Sequence, residues 1–332
     1  MFTKYFSITI ICLFFSFNIN AITLKVNEGN APGSPEALAL DEFKKMVEKQ
    51  SNGEIKIRIF LNRQLGNPQE SLENLMTGTL DLYSGALSYY ATLLKDELNP
   101  VSLMYFFKDT EHLKRYLRGP VFKKAQDKLI KKGIRFISTE FNGDRGPYRV
   151  YISTKPIMSL KDLQGVKMRL WPNDIAIRSW KHLGAEPAVI PWTEVYLSIK
   201  QGVVSAVTAP IALVRSTKFT EVAPYVTIMK QFPQTWPMTI SEKVWNKLST
   251  KQRNILVNAA NEAGKIYANT SYERVTEDIE WMIENNDAVF IRTNTAPFRK
   301  KMEPLYKDLI AQGVLKKEIY DAINEEDNLI NN

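Results

Sequence analysis

The chain has 332 residues, which is long enough for two lobes with sizeable hydrophobic cores. Hydrophobic residues make up 44% of it, charged residues 24% and aromatic residues 11%, and these shares exclude a fibrous or disordered protein. Lys and Arg outnumber Asp and Glu by 44 to 36, and the formal charge of +8 is spread along the chain. This distribution favours a solvated surface with a mild preference for anions and disfavours nucleic-acid binding.

The first 21 residues have the pattern of a secretory signal peptide. Lys4 gives a basic start, an apolar run covers residues 6–17, and Ala21 is the small residue at the expected cleavage point. The run is shorter than the ~20 residues that cross a bilayer, so a retained anchor is the weaker alternative. We therefore predict a soluble, exported protein.

Cys12 is the only cysteine and lies inside this segment. Ile11 precedes it, where a lipoprotein signal has a small residue, so we do not expect acylation. The mature chain is then predicted to have no disulfide, no thiolate metal site and no cysteine nucleophile.

Strand and helix patterns alternate after residue 21. Ser34-Pro35-Glu36 combines an N-cap, a proline at the first helical position and an acid in the first turn, and Gly53 supplies the helix exit. Strands are predicted at 24–26, 55–60, 80–83, 133–137, 166–170, 188–190 and 203–207, and helices at 34–51, 68–78, 174–183 and 194–200. This alternation predicts α/β lobes with mostly parallel sheets.

Residues 249–285 contain no proline, one glycine at Gly264, and apolar residues at helical spacing. The pattern predicts one helix of roughly 35 residues, about 50 Å long at 1.5 Å per residue. A helix of this length must span both lobes. The segment from Thr295 onward is predicted to be helical again.

Motifs of enzyme chemistry are missing from the sequence. His112 and His182 are far apart, and packing or surface positions are favoured over metal or catalytic roles. The chain has no phosphate-binding glycine loop, no GxSxG elbow and no metalloprotease motif, and no carboxylate spacing marks an acid/base pair. We predict a protein that is not an enzyme and has neither cofactor nor metal, with an exported hydrolase as the rival interpretation.

Polar and aromatic residues follow the middle strands. Arg169 lies near the end of predicted strand 166–170, at the sheet edge where ligands bind, and could hold a carboxylate through two parallel hydrogen bonds. Arg145 lies in a turn-forming cluster predicted to cross between the lobes. Trp171, Trp192 and Trp236 each adjoin a proline and could be cleft walls or core. From spacing alone, a structural or packing role is favoured over a ligand-binding role for each of these residues.

A set of motifs extends in order over nearly the whole mature chain. They are Ser51-Asn52-Gly53-Glu54-Ile55, Gln64-Leu65-Gly66, Gly78-Thr79-Leu80-Asp81, Arg118-Gly119-Pro120-Val121, Leu160-Lys161-Asp162-Leu163-Gln164-Gly165, Leu183-Gly184-Ala185, Pro191-Trp192-Thr193-Glu194-Val195-Tyr196, Gln201-Gly202-Val203-Val204 and Lys218-Phe219-Thr220-Glu221-Val222. In this order and spacing the chain resembles the dicarboxylate-binding family of extracytoplasmic solute-binding proteins of tripartite ATP-independent periplasmic (TRAP) transporters.

The resemblance implies a two-lobed, periplasmic-binding-protein-like α/β fold. Each lobe is a sheet flanked by helices, crossing strands and a long helix join the lobes, and a hinge closes them on the ligand. Lobe I is expected to comprise residues 22–143 and about 235–275, and lobe II residues 144–234 and about 276–332.

The resemblance also implies capture of a small organic acid anion in the periplasm and its delivery to the small and large TRAP membrane subunits. A monomer is the default expectation. The alternative within the same fold is a binding protein that signals to a membrane sensor.

The resemblance further implies roles for individual residues. Arg169 matches the family arginine that pairs with the ligand carboxylate. Arg145 matches the second family arginine, in the motif Gly-x-Arg, and Trp192 matches the aromatic residue before the Glu-Val-Tyr segment. Residues 205–210 read Ser-Ala-Val-Thr-Ala-Pro, where the family usually reads Asp-Gly-Gln-Glu-Asn-Pro. Ala209 cannot make the hydrogen bond of that asparagine, so the contact is missing or comes from another group such as Thr208.

Positions that recognise the body of a sugar acid also differ, and Tyr89 stands at one of them. Sialic acid is therefore disfavoured, and a compact organic acid with little polar decoration is expected. The ligand-binding residues expected in total are Arg169, Arg145, Trp192, Trp171, Trp236, Tyr89, Thr208, Ala209 and Glu28.

Overall fold

The computed structural model describes residues 21–328, so residues 1–20 of the expected signal peptide, Cys12 included, lie outside the described residues. The strands are β1 (Ile22–Asn27), β2 (Ile55–Phe60), β3 (Leu82–Ser84), β4 (Ile134–Phe136), β5 (Arg149–Ser153), β6 (Lys167–Leu170), β7 (Glu186–Val189), β8 (Ala206–Pro210), β9 (Tyr225–Ile228), β10 (Met238–Ser241) and β11 (Val289–Arg292). The helices are α1 (Pro35–Gln50), α2 (Pro68–Thr77), α3 (Lys95–Leu98), α4 (Thr110–Arg118), α5 (Pro120–Lys131), α6 (Asp174–His182), α7 (Val195–Lys200), α8 (Ile211–Val214), α9 (Glu242–Trp245), α10 (Thr250–Glu273), α11 (Val275–Asn286), α12 (Ala296–Ala311) and α13 (Lys317–Asn328).

The strands form two mixed sheets flanked by helices, which confirms the predicted α/β architecture. One sheet has the order β2-β1-β3-β10-β4 and the other the order β11-β9-β5-β8-β6-β7. Neighbouring strands are parallel except around β10 and β5, each of which runs antiparallel to both of its neighbours. Each of these two strands enters its sheet after a crossing without a helix, whereas β11 enters the six-stranded sheet after the crossing through α9, α10 and α11.

The two crossing segments pair with each other between the sheets. Asp144 and Thr235 form an isolated antiparallel bridge, and the amide of Trp236 donates to the carbonyl of Gly143 at 2.8 Å. A Cβ added to Gly143 would lie 2.8 Å from the carbonyl oxygen of Trp236, so the close approach of the two segments needs a glycine here.

The predicted helix ends agree with the structure. The Ser34 hydroxyl accepts a hydrogen bond from the amide of Ala37, and Asn52 and Gly53 take left-handed conformations after α1. Asn67 and Glu70 form a capping box at the start of α2, and Gly78 ends that helix.

The strand predicted at 203–207 begins three residues later, as β8. The amides of Val203 and Val204 both donate to the carbonyl of Ser198, so these residues complete the end of α7 instead of joining the sheet. This shift places Thr208 and Ala209 inside the strand.

The predicted long helix is divided in two at Arg274, between α10 and α11. Helical hydrogen bonds continue on both sides of it, from its amide to Thr270 and from Asp278 to its carbonyl. α10 packs on α1, and α11 packs on α8 near the six-stranded sheet. The two helices therefore run past both sheets, although not as one unbroken helix.

The C-terminal helices contact both halves of the molecule. α12 packs on α6, and α13 packs on α4. His112 is buried on α4, and its Nε2 lies 2.8 Å from the carbonyl oxygen of Ile323 on α13. His182 is half-buried, with Nε2 2.7 Å from the carbonyl of Lys301 on α12. The two histidines thus hold the C-terminal helices, while the division into lobes by residue ranges stays a prediction.

Within residues 21–328, none of the helices has both the length and the apolar composition needed to cross a membrane.

Gly143→Ala tests the close pairing of the crossing segments. The new methyl group would push against the Trp236 backbone, so we expect the free energy of unfolding in urea to fall by about 1–3 kcal/mol. Gly29→Ala is the control, because its Cβ would meet only the Arg63 side chain, at 3.4 Å. Equal stability of the two variants would contradict the proposed steric role of Gly143.

Candidate functional site

A cavity of about 50 Å³ lies between the two sheets, where the ends of β1 and β3 face those of β6 and β8. This agrees with the rule that ligand sites form beyond the carboxyl ends of strands in open α/β sheets. The lining residues are Glu28, Gly29, Asn30, Arg63, Pro68, Tyr83, Gly85, Ala86, Ser88, Tyr89, Arg145, Arg149, Arg169, Trp171, Trp192, Thr208, Pro210 and Gln234. Seven of the nine residues expected from the sequence are among them, all except Trp236 and Ala209.

Arg169 lies at the end of β6 and is only 3% exposed. Its Nε donates to the carbonyl of Ile190 at 2.8 Å, and its guanidinium lies over the ring of Trp192, 5.2 Å from the centroid. These contacts fix the plane of the guanidinium. Burial lowers the pKa of Arg169 to about 10, against a smaller opposing effect of Tyr89.

Arg149, which the sequence analysis missed, is the first residue of β5 and is 5% exposed. Its Nη1 donates to Gln234 Oε1 and its Nη2 to the carbonyl of Thr208 at 3.0 Å. The guanidinium lies 4.9 Å from the ring centroid of Phe232. Burial lowers the pKa of Arg149 to about 9, and the positive charges of neighbouring arginines lower it further.

The two arginines reach the cavity from opposite faces of the six-stranded sheet. Arg149 shares a face of β5 with Tyr151, whereas Arg169 alternates with Met168, which packs in the same core as Tyr151. Each guanidinium lies near a different tryptophan, Arg149 near Trp171 and Arg169 near Trp192. The cavity is thus bordered by two arginine–tryptophan pairs.

Arg149 and Arg169 form no ion pair with any carboxylate of the described residues, although both are buried. Other buried cations do have such partners: Lys114 lies 3.0 Å from Asp144. A buried charge without a counter-ion costs free energy, and an anion placed between the two guanidinium groups would remove that cost.

Arg145 does have a carboxylate partner. Its Nη2 lies 3.3 Å from Glu36 Oε1, which also accepts a hydrogen bond from the hydroxyl of Tyr267 at 3.0 Å. Burial raises the pKa of Glu36 to about 7, although Arg145 opposes this shift. Arg145 therefore lines the cavity with a carboxyl group beside its Nη2, whereas its buried Nε and Nη1 have no hydrogen-bond partner among the described residues.

Glu28 lines the cavity as a fully hydrogen-bonded carboxylate. Oε1 accepts from the amides of Gly29 and Asn30, and Oε2 accepts from the Ser84 hydroxyl and from Trp236 Nε1 at 2.9 Å. Trp236 is 1% exposed and lies behind the cavity wall. The structure therefore gives Trp236 the role of holding Glu28.

Strand alternation separates Thr208 from Ala209. Thr208 faces the cavity, and its hydroxyl lies 3.3 Å from Arg149 Nη2, whereas Ala209 packs with Val150 and Val207 in the core on the other face. Ala209 is therefore removed from the residues that face a ligand. Ala209 was expected at the ligand because it stands where the family usually has the ligand-binding asparagine.

Arg63 is a second residue that the sequence analysis missed. It follows β2, is half-buried, and has a left-handed backbone with φ of 58°. Its amide donates to the carbonyl of Glu28 at 3.1 Å, which holds the unusual turn. Arg63 lies in a loop, so neither the helical nor the strand pattern of apolar residues in the sequence points to it.

In the part of the chain that the structure describes, no three or more His, Cys, Asp or Glu side chains converge as a metal site would require. The charged groups that line the cavity are instead four arginines and one hydrogen-bonded glutamate, and its other polar side chains are those of Asn30, Tyr83, Ser88, Tyr89, Thr208 and Gln234.

Comparison with known proteins connects this geometry to a family. The family model for bacterial extracellular solute-binding protein, family 7, matches residues 26–312. The chain is 27% identical to the sialic acid-binding periplasmic protein SiaP of Vibrio cholerae, over 94% of this chain and 97% of that protein. It is 27% identical to the C4-dicarboxylate-binding periplasmic protein DctP of Rhodobacter capsulatus, over 75% and 73% of the two chains.

A solved TRAP periplasmic solute-binding protein from Ochrobacterium anthropi, with bound L-fuconate, has the same fold. The TM-score is 0.82 at 27% identity, and the match covers 92% of this chain and 99% of that chain. The family consists of extracellular solute-binding proteins, not of enzymes. The resemblance inferred from the sequence motifs is thereby confirmed: the protein belongs to family 7 of the bacterial extracellular solute-binding proteins, the TRAP solute-binding family.

Proposed function

We propose that this protein binds the carboxylate of a small organic acid between its two sheets, with Arg149 and Arg169 as the cationic clasp. The observation that carries the proposal is the pair of buried guanidinium groups without a carboxylate partner among the described residues. A carboxylate between them would form charge-assisted hydrogen bonds in a site that excludes water, where such bonds are strongest.

Neighbouring groups support this arrangement. The Nε of Arg169 donates to the carbonyl of Ile190, so the terminal nitrogens of Arg169 are left as donors for the ligand. Tyr89 lies beside Arg169, and Trp192 lies under its guanidinium. Trp192 is itself held by an edge contact with Phe219, with centroids 5.2 Å apart, so the aromatic wall is positioned before a ligand arrives.

Residues from both sheets line the cavity, so a bound ligand stabilises the arrangement in which the sheets are close together. In this proposal lobe I comprises residues 22–143 and about 235–275, and lobe II comprises residues 144–234 and about 276–332. The crossing segments between them absorb the hinge motion.

The relatives support an acidic ligand, because sialic acid, C4-dicarboxylates and L-fuconate all carry a carboxylate. By family, we infer that the protein is exported by its signal peptide to the periplasm, works as a monomer, and delivers the acid to the small and large TRAP membrane subunits.

Arg169→Ala is expected to weaken binding of the tightest acid in a calorimetric panel that includes succinate and L-fuconate by at least about 100-fold. The loss of one partner of a buried charge pair typically costs 3–5 kcal/mol. Arg178→Ala, on the exposed side of α6 beside Asp174, is the control. An Arg169→Ala variant that folds and binds with unchanged affinity would refute the clasp.

Arg149 and Arg145 are expected to respond differently to substitution by glutamine. Arg149→Gln should lose carboxylate affinity about as strongly as Arg169→Ala, since no carboxylate of the described residues balances Arg149. Arg145→Gln should mainly lower the free energy of unfolding, because it leaves Glu36 without its cation. Parallel titration calorimetry and urea unfolding separate the two effects, and the reverse pattern would show that Arg145 is the ligand contact.

The raised pKa of Glu36 predicts a pH dependence of stability. The carboxyl titrates near pH 7 when folded and near 4.5 when unfolded, so the folded state binds more protons between these values. The free energy of unfolding should therefore fall as pH rises from about 5 to about 7, and level off above that. Urea unfolding of Glu36→Gln should lose this fall, whereas Glu73→Gln, at an exposed position on α2, should keep it. An unchanged slope in Glu36→Gln would contradict the assignment.

A further inference from the structure

The arginine-lined cavity, called here the inner compartment, continues into an outer compartment of about 130 Å³. The two compartments share the residues Arg63, Pro68, Tyr89, Arg169, Trp171 and Trp192. Since the same side chains border both spaces, a ligand held at Arg169 can extend from one compartment into the other.

The walls of the outer compartment differ chemically from those of the inner one. Beyond the shared residues, it adds Pro172, Val189, Ile190 and Pro191, together with the two amides Asn67 and Gln69. None of these carries a charge. The wall formed by Pro172, Val189, Ile190 and Pro191 is therefore aliphatic, and these four side chains offer no partner to a chain of hydroxyl groups.

The inner compartment is too small for a whole ligand. At about 50 Å³ it is far below the several hundred Å³ typical of ligand sites. It can take a carboxylate and the atoms next to it, and the remainder of a ligand held at Arg169 can lie in the outer compartment, which shares Arg169 and Trp192 with the inner one. The walls of the outer compartment then decide which ligand body is favoured.

Val189 supports this interpretation independently. It ends β7, the edge strand of the six-stranded sheet, and it is 53% exposed while it lines the outer compartment. An exposed valine beside two prolines and an isoleucine forms an apolar rim at the opening. Covering this rim would stabilise the binding of an apolar ligand body but not of a polar one.

We propose that the preferred ligand is an organic acid with an apolar aliphatic or aromatic body, whose carboxylate lies in the inner compartment and whose body lies in the outer one. This inference rests on the proposed carboxylate clasp and adds the class of acid. Ile190 and Val189 then set specificity, because a polyhydroxylated acid would leave its hydroxyl groups unpaired against them.

The test is a series of monocarboxylates titrated into protein freed of co-purified ligand by unfolding and refolding. Acetate, butyrate, hexanoate and octanoate vary the chain length, phenylacetate supplies a ring, and gluconate has the six carbons of hexanoate with five hydroxyl groups. We expect Kd to fall about two- to fourfold for each methylene that enters the outer compartment. Hexanoate should bind at least about tenfold more tightly than gluconate.

Two variants locate the ligand body. Val189→Thr and Ile190→Thr keep a β-branched side chain but make the wall polar, and the backbone carbonyl that holds Arg169 is unaffected. Both should reduce the dependence of affinity on chain length. Val203→Thr is the matched control, since Val203 is equally exposed at 55% but does not line the compartment.

The outcomes separate this inference from the proposed function. If gluconate binds as tightly as hexanoate, or if affinity does not rise with chain length, the apolar body is refuted and the clasp stands. If affinity rises with chain length but Val203→Thr changes this dependence as much as Val189→Thr and Ile190→Thr do, the ligand body does not lie in the outer compartment. If no acid of either kind binds, the carboxylate clasp itself fails.

Discussion

Two guanidinium groups, those of Arg149 and Arg169, are buried at the edge of one sheet without a carboxylate to neutralise them among the described residues. Burial of each charge opposes folding, so the surrounding structure has to hold both in place by other means. A backbone carbonyl, a glutamine and a threonine supply acceptors, and aromatic rings supply the remaining contacts. The proposed attraction for an anion follows from this incomplete compensation.

Topology brings the two arginines together. β5 runs antiparallel to β8, so its first residue lies beside Pro210, at the carboxyl end of β8. β6 runs parallel to β8, so its last residues reach the same edge. A strand start and a strand end therefore meet at one site, and this depends on the chain crossing between the sheets before it enters β5. The second layer, in which Glu36 contacts Arg145 and Trp236 holds Glu28, supports the cavity from behind.

The sequence predicted the elements that local chemistry determines. The Ser34 cap and the Gly53 exit give the ends of α1, and the strand pattern of β6 placed Arg169 at a sheet edge before any family was considered. Arg149 was missed because a strand start marks a ligand site only when the strand is antiparallel to its neighbours, and pairing direction is a long-range property. The strand predicted at residues 203–207 begins three residues later, because Val203 and Val204 end α7. Valine is also the residue type typical of strands, so composition could not distinguish the two.

The C-terminal helices impose a mechanical asymmetry on any opening of the molecule. α12 is attached to α6 and α13 to α4, and the His112 contact with Ile323 adds a buried hydrogen bond to the second attachment. Separating the sheets on this side would have to release one of these attachments or bend the connection between α12 and α13, whereas across the α10–α11 junction the guanidinium of Arg274 reaches the carbonyl of Gly33 only at 3.4 Å. The proposed hinge at the crossing segments therefore works against a stronger restraint on the side of the C-terminal helices than at the α10–α11 junction.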